Sequence, residues 1–454
     1  MTKLLVNKYN VAGPRYTSYP TVPYWDDNTF SIAKWKTSLQ KSFNESNDNE
    51  GISLYIHLPF CESLCTFCGC NKRITTRHEV ESPYIKYVLK EWQLYVQELG
   101  HTPHIKELHL GGGTPTFFSP KNLERLINGI FSIAEKAENY EFSFEGHPNN
   151  TTKAHLETLY NLGFRRVSFG VQDYNETVQK AIHRIQPFEN VKRVTEEARE
   201  IGYSSISHDI IFGLPFQTEE HVAETIKKTK QLMPDRIAFY SYAHVPWIKG
   251  NGQRGFKDTD LPSAESKRKQ YELGKEQLDA CGYVEIGMDH FALKTDSLYL
   301  ATETKKLHRN FMGYTASKTQ IMVGLGVSAI SDSWYGFAQN EKKIEDYYKR
   351  LDANEIPVFR GHILNAEDLI IRRHILNLMC HFETSWNLNT NYFKELPDVL
   401  IQLKELEKDG LIQINTHAIT VTENGRPYVR NVCMAFDLLL QRKKPEAQLF
   451  SMTI

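Results

Sequence analysis

The sequence has no apolar run approaching the roughly 20 residues of a membrane span, and its opening, Met1-Thr-Lys-Leu-Leu-Val-Asn-Lys8, turns polar too soon for a secretory leader. Neither charge sign is in excess: 54 Lys and Arg against 55 Asp and Glu leave a formal charge of -1 over 454 residues. No global field therefore draws the chain to nucleic acid or to an anionic membrane, and an anionic substrate must be met by a local basic pocket. Cysteine is sparse outside one place. Of seven cysteines, four lie within ten residues, while Cys281, Cys380 and Cys433 are scattered in apolar segments, as expected of core thiols. That usage excludes a disulfide framework and predicts a cytoplasmic protein. No internal repeat or low-complexity tract is visible.

From about residue 51 to 290, short β-rich runs alternate with amphipathic stretches, the pattern of a parallel sheet wound with helices. Strands are expected at Ser53–Leu58, Ile105–Leu110, Tyr140–Glu145, Arg166–Val171, Ser204–Phe212 and Arg236–Ala243. Helices are expected at Glu79–Leu99, Lys121–Lys136, Lys153–Leu162, Asn190–Ile201 and Glu219–Leu232, where apolar residues recur every three or four positions. Six such units suit a partial barrel or an open sheet, and periodicity does not choose between them. Residues 1–50, with the turn-rich Gly13-Pro-Arg-Tyr-Thr-Ser-Tyr-Pro20 and an amphipathic stretch at Phe30–Phe43, suggest an arm on a main body spanning 51–345. Residues 346–454 suggest a mostly helical, winged-helix-like module. Its helices are expected at Glu367–Cys380, Leu400–Asp409 and Tyr428–Leu440, with two short strands within Gly410–Thr422. It carries no dense basic stripe, which favours packing or covering a site over binding DNA.

The cysteine cluster, Cys61-Glu-Ser-Leu-Cys65-Thr-Phe-Cys68-Gly-Cys70, follows the apolar run Leu54–Phe60. Three thiolates spaced C-x3-C-x2-C on one loop suit an iron–sulfur cluster with one iron free for a small molecule. Structural zinc is the competing reading. Zinc sites usually divide their ligands into two pairs on separate loops, and no second C-x2-C pair occurs. Gly111-Gly112-Gly113-Thr114 ends the second strand, where side-chain-free backbone can approach a ligand or simply make a tight turn. Glu145, Gln172 and Asp209 recur at or near the ends of three successive strands, where a βα array gathers binding groups, and Arg184 could supply a cation for a carboxylate.

Together these motifs resemble the radical S-adenosylmethionine enzymes, and within them the oxygen-independent coproporphyrinogen III oxidase family. Carrying the narrower resemblance are Tyr55-Ile-His-Leu-Pro-Phe-Cys, Cys68-Gly-Cys-Asn-Lys72, Gly170-Val-Gln-Asp173, Tyr242-Ala-His244, Gly287-Met-Asp-His-Phe291, His308-Arg-Asn-Phe311 and Gly326-Val-Ser-Ala-Ile330. The resemblance implies an α/β fold: a partial (β/α)6 TIM-like barrel with an N-terminal arm and a mostly helical C-terminal domain. It implies oxidative decarboxylation of two propionates of coproporphyrinogen III to vinyls, giving protoporphyrinogen IX. A [4Fe–4S] cluster on Cys61, Cys65 and Cys68 would hold one S-adenosylmethionine, whose reductive cleavage yields the radical that takes hydrogen from a propionate. Tyr55, Gly112, Glu145 and Ile330 match positions around that molecule. Phe67, Gly113, Thr114, Gln172, Arg184, Asp209 and Ala243 match positions around a second. Cys70 is not a cluster ligand in the family pattern and is left for a catalytic part near the substrate. Arg15, Lys72, Arg73 and Arg309 are candidate cations for four propionates, with His290 and His308 as hydrogen-bond donors. The implied partners are a one-electron donor such as flavodoxin or ferredoxin and no nucleic acid or membrane, and the expected state is a monomer. Departures from the family pattern occur at His147, before Pro148, and at His183, before Arg184. A heme-binding chaperone and a heme-degrading radical enzyme share the cysteine loop and are the competing functions, but the chaperone branch lacks the pattern Cys68-Gly-Cys70.

Overall fold

The computed structural model describes residues 3–453 except 27, 248–251, 254, 388, 444 and 446. Its spine is β1 (Ile52–Leu58), β2 (His104–Gly112), β3 (Glu135–Gly146), β4 (Phe164–Gln172), β5 (Ser205–Phe212) and β6 (Arg236–Ser241), each paired parallel with the next. All six correspond to expected strands. The sheet runs on at both edges. Met322–Leu325 pairs parallel with β1, followed outward by Ile330–Asp332, Gly336–Asn340 and Val358–Ile363, while His290–Leu293 and Tyr283–Gly287 flank β6. The result, among the described residues, is an open twelve-stranded α/β sheet, a partial barrel.

Helices between the strands form where the periodicity places them. In Pro120–Phe131 the residues Leu123, Leu126, Ile127 and Ile130 lie on one stripe, and all are buried. Each contributes about 1.5–3 kcal/mol by leaving water. This helix stops earlier than expected because Glu135 and Lys136 are drawn into β3, opposite His104 and Ile105. Strand pairing overrides the helix-favouring Ala-Glu-Lys sequence there. Thr152 and Thr218 accept from the backbone N–H three residues on and so cap Lys153–Asn161 and Glu219–Leu232. In the N-terminal segment, Ser31 caps Ile32–Ser46, which buries Trp35, Leu39 and Phe43 in the sheet's main core.

The sheet's last strand, Val358–Ile363, lies beyond residue 345, so the end of the sheet does not coincide with the expected boundary. Past it, Ala366–His381, Leu396–Lys408 and a three-stranded sheet enclose a second core, into which Tyr9, Tyr16 and Tyr19 of the N-terminal segment also pack. The last expected helix is two, Val429–Phe436 and Leu438–Arg442, parted at Asp437. Of the three scattered cysteines, Cys380 and Cys433 are core thiols. Cys281 is only half-buried and donates to the Gln277 carbonyl at 2.9 Å. No helix among the described residues is long and apolar enough to cross a membrane.

One buried carboxyl ties the sheet's added edge to the helix Glu81–Leu99. Glu91 accepts from the Gly326 N–H (2.7 Å), the Asn340 amide (2.6 Å) and the Tyr347 hydroxyl (2.6 Å), and is fully buried. Burial pushes its pKa up to about 8 against the pull of these three donors. Because the folded value lies above the unfolded one, the stability this group contributes is complete below about pH 4.5 and is lost as pH rises through 8. Urea unfolding between pH 6 and 9 should therefore show stability falling with pH in the wild type, with that component absent in Glu91→Gln. Glu91→Ala, which strands three buried donors, should be less stable by roughly 3 kcal/mol.

Candidate active site

The site begins where β1 and β2 end together, with Leu58 opposite Gly112. Beyond that point the Gly113 N–H donates to the Leu58 carbonyl (2.8 Å) and the Thr114 N–H to the Phe60 carbonyl (3.0 Å), so the glycine turn is laced to the start of the cysteine loop. No side chain fits in the seam. A Cβ on Gly113 would lie 2.7 Å from the Pro59 carbonyl group, and one on Gly112, whose φ is +113°, would lie 2.8 Å from the His57 imidazole. The chain itself therefore accounts for these two glycines. At its far side the loop closes through the short pairing of Phe60–Cys61 with Arg73–Ile74, and Thr66 is tied to the carbonyls of Ala181 and Ile182.

A cavity of about 270 Å³ opens there, lined by Cys61, Cys65, Cys68, Gly113, Thr114 and Arg184. Phe67, Lys72, His147 and His183 complete much of its wall. The three thiols surround this space rather than converge on a point, and among the described residues no three metal-ligating groups meet where one ion would sit. A multi-iron cluster, which spreads its thiolates over separate irons, suits that donor set better than a lone zinc. A hydrogen bond from the Cys70 thiol holds Cys68 down to about 6, with Lys72 and Arg184 adding to it. Burial pushes Cys61 up to about 11, although the Thr114 hydroxyl donates to its sulfur at 3.4 Å.

The strand-end residues adjoin the cavity. Tyr55 and His57, two apart on β1 and so on one face, share a 3.1 Å hydrogen bond, and the His57 Nε2 meets the Asn71 carbonyl at 2.8 Å. Glu145 accepts from the Gly112 N–H (3.3 Å) and lies 3.4 Å from the His109 Nε2. Asp209 accepts from Ser168 (2.8 Å), and burial holds its pKa up to about 7. Gln172, at φ +66°, and Arg184 both crowd Gly170, whose carbonyl accepts from the Arg184 Nη2 at 2.6 Å. The Arg184 Nη1 lies 3.9 Å from the Cys65 sulfur. Gln253 bridges the Ala243 and Phe67 carbonyls, which brings the end of β6 to the cysteine loop. Ile330 stands apart, with its carbonyl against Gly324, the parallel partner of Tyr55.

The expected propionate cations are not gathered in one place. Arg73 is exposed and pairs with Glu345. Lys72 is at the cavity, donating to the carbonyls of Cys68 (3.1 Å) and Cys70 (3.3 Å). His308 is buried on another face, lining a groove with Lys306 and Arg373. Arg15, Arg309 and His290 cluster beyond β6 instead. Sequence reasoning gave no role to His57 and His109. Strict alternation along β1 was the available signal for His57, which falls on the Tyr55 face.

Cysteine loop, glycine seam and parallel strand ends define a radical S-adenosylmethionine enzyme, and the pattern of the Radical SAM superfamily matches residues 55–229. Within that class, the chain is 39% identical over 441 residues to the oxygen-independent coproporphyrinogen III oxidase of Helicobacter pylori, covering 96% of each chain. It is 38% identical over 458 residues to that of Escherichia coli, covering 99% of this chain and 98% of the other. The solved structure of coproporphyrinogen III oxidase from Escherichia coli, described as a radical SAM enzyme, superposes with a TM-score of 0.89 at 36% identity, over 96% of this chain and 99% of that one. The chain belongs to the family of oxygen-independent coproporphyrinogen III oxidases.

The seam yields a test. Gly113→Ala forces a methyl group against immobile backbone, so it should lower stability by about 1–3 kcal/mol. After anaerobic iron and sulfide reconstitution it should also show much less visible absorbance per chain than the wild type.

Proposed function

We propose that this chain catalyses the oxygen-independent oxidative decarboxylation of two propionates of coproporphyrinogen III to vinyls, giving protoporphyrinogen IX. The likeness over nearly the full length to oxidases of this name carries the reading, and the cavity of three thiols beside Arg184 supports it. Cys61, Cys65 and Cys68 would hold a [4Fe–4S] cluster, which together with S-adenosylmethionine supplies one-electron radical chemistry when bound. Tyr55, Gly112, Glu145 and Ile330 are assigned to the cluster-bound S-adenosylmethionine. Phe67, Gly113, Thr114, Gln172, Arg184, Asp209 and Ala243 are assigned to a second molecule.

The chemistry of these side chains suits the assignment. The planar Arg184 fork suits a carboxylate, and Glu145 suits an ammonium or ribose hydroxyls. Asp209, held near neutrality, can accept from a hydroxyl or donate to one. Cys70 is exposed next to Cys68, where it can meet a substrate without occupying a cluster position. A flavodoxin- or ferredoxin-like donor, a monomeric state and a cytoplasmic location complete the proposal.

Reconstituted protein supplied anaerobically with S-adenosylmethionine, a one-electron reductant and coproporphyrinogen III should give a product lighter by two CO2 and two H2. Stable stoichiometric heme binding without decarboxylation would replace the oxidase with a chaperone. Cys70→Ser should keep the cluster's visible absorption and lose turnover. Loss of the absorption instead would make Cys70 a ligand.

A further inference from the structure

Beyond the end of β6 lies a buried guanidinium with almost nothing to hold. Arg309 is 8% exposed, and neither its Nε nor its Nη1 has a hydrogen-bond partner. Its Nη2 makes one long contact, 3.5 Å to the Arg15 carbonyl, and its plane lies 4.4 Å from the centre of the Tyr314 ring. Orphaned donors on a buried charge are costly, by the full desolvation of each group. The nearby carboxylate, Asp289, is engaged by Arg15 at 3.4 Å.

What surrounds Arg309 has the character of a receptor for an anion. The His290 ring packs edge-on against Tyr314 at 5.2 Å; its Nε2 meets the Tyr240 hydroxyl at 3.3 Å, while its buried Nδ1 has no partner. Burial and the charges of Arg309, Arg236 and Arg15 hold this imidazole down to about 3, so it stays neutral and keeps one nitrogen able to donate. Arg15 arrives on the N-terminal segment, which Arg430 fastens by donating to the carbonyls of Gly13 and Pro14. Arg15 in turn donates to the Ser241 carbonyl (2.8 Å) at the end of β6. Tyr240 lies on β6, paired with β5, which carries Asp209, so the cluster adjoins the strand ends of the cofactor assignments.

Resting on the function proposed above, we infer that Arg309 receives a propionate carboxylate of the substrate, with Arg15 and His290 as flanking partners. A carboxylate presents paired acceptors that match an open guanidinium edge, and it neutralises the orphaned charge.

Coproporphyrin III, the stable oxidised tetracarboxylate, and its tetramethyl ester are the probes, titrated by fluorescence against reconstituted wild type, Arg309→Met and Arg309→Lys. The wild type should prefer the acid. Arg309→Met should bind the acid about 10- to 100-fold more weakly, leave the ester unchanged and unfold at the same temperature or higher, since an uncompensated buried charge is removed. Arg309→Lys, which keeps charge and loses the fork, should fall between. Unchanged acid binding in Arg309→Met overturns the inference. So does equal loss of acid and ester with a lower unfolding temperature, which marks a structural role, or a wild type that does not distinguish acid from ester. Decarboxylation by the wild type is read separately, so failure of the oxidase reading is told apart from failure of this one.

Discussion

Everything at the strand ends depends on the lacing of two parallel strands past their last pair. β1 and β2 finish in register at Leu58 and Gly112, and two further backbone hydrogen bonds carry the pairing into the cysteine loop and the glycine turn. Those bonds fix where Cys61 starts relative to Thr114, and the absent side chains let the two segments touch. Tyr84 and Glu91 support the seam from behind. Tyr84 donates to the His57 carbonyl at 2.7 Å and accepts from the Val327 N–H at 3.0 Å, so β1, the helix Glu81–Leu99 and the loop toward Ile330 share one buried hydrogen-bonded block. A displacement of any one element strands buried donors in the others, which gives a loop of flexible thiols a rigid foundation.

The sequence was most legible where local chemistry and global fold agree. Six strands and five helices of the array follow from apolar periodicity, and the three cysteines singled out by their spacing all line one cavity. The edges were not legible, for a physical reason. Met322–Leu325 is a four-residue run made a strand by β1 on one side and Ile330–Asp332 on the other, and Glu135–Lys136 has helix-forming residues captured by β2. Such segments take their conformation from partners far away in the chain, which periodicity does not register.

The glycine run serves two ends at once. Gly113 lines the cavity with bare backbone, and at Gly112 and Gly113 the space a side chain would need is filled by His57, Pro59 and Phe60. Sequence can show that a side chain is excluded; it does not say what excludes it. Glu91 illustrates the same limit from the other side: its spacing from Tyr84, Val88 and Tyr95 puts it on the apolar stripe of its helix, but only the fold reveals the three donors facing it.

Charge completes the argument that composition began. A chain with a formal charge of -1 offers no general attraction for an anion, so recognition must come from cations kept free of their own carboxylates. Most of the arginines and lysines near the strand ends are spoken for: Arg73 by Glu345, Arg430 by backbone carbonyls, Lys267 by the Tyr242 carbonyl. Arg184 and Arg309 differ: the Arg184 Nε and the Arg309 Nε and Nη1 are buried without a partner. An incompletely satisfied guanidinium keeps hydrogen-bonding capacity that a carboxylate can take up, which one paired within the protein has lost. Satisfying both within the protein would make it more stable and leave nothing with which to orient an anion.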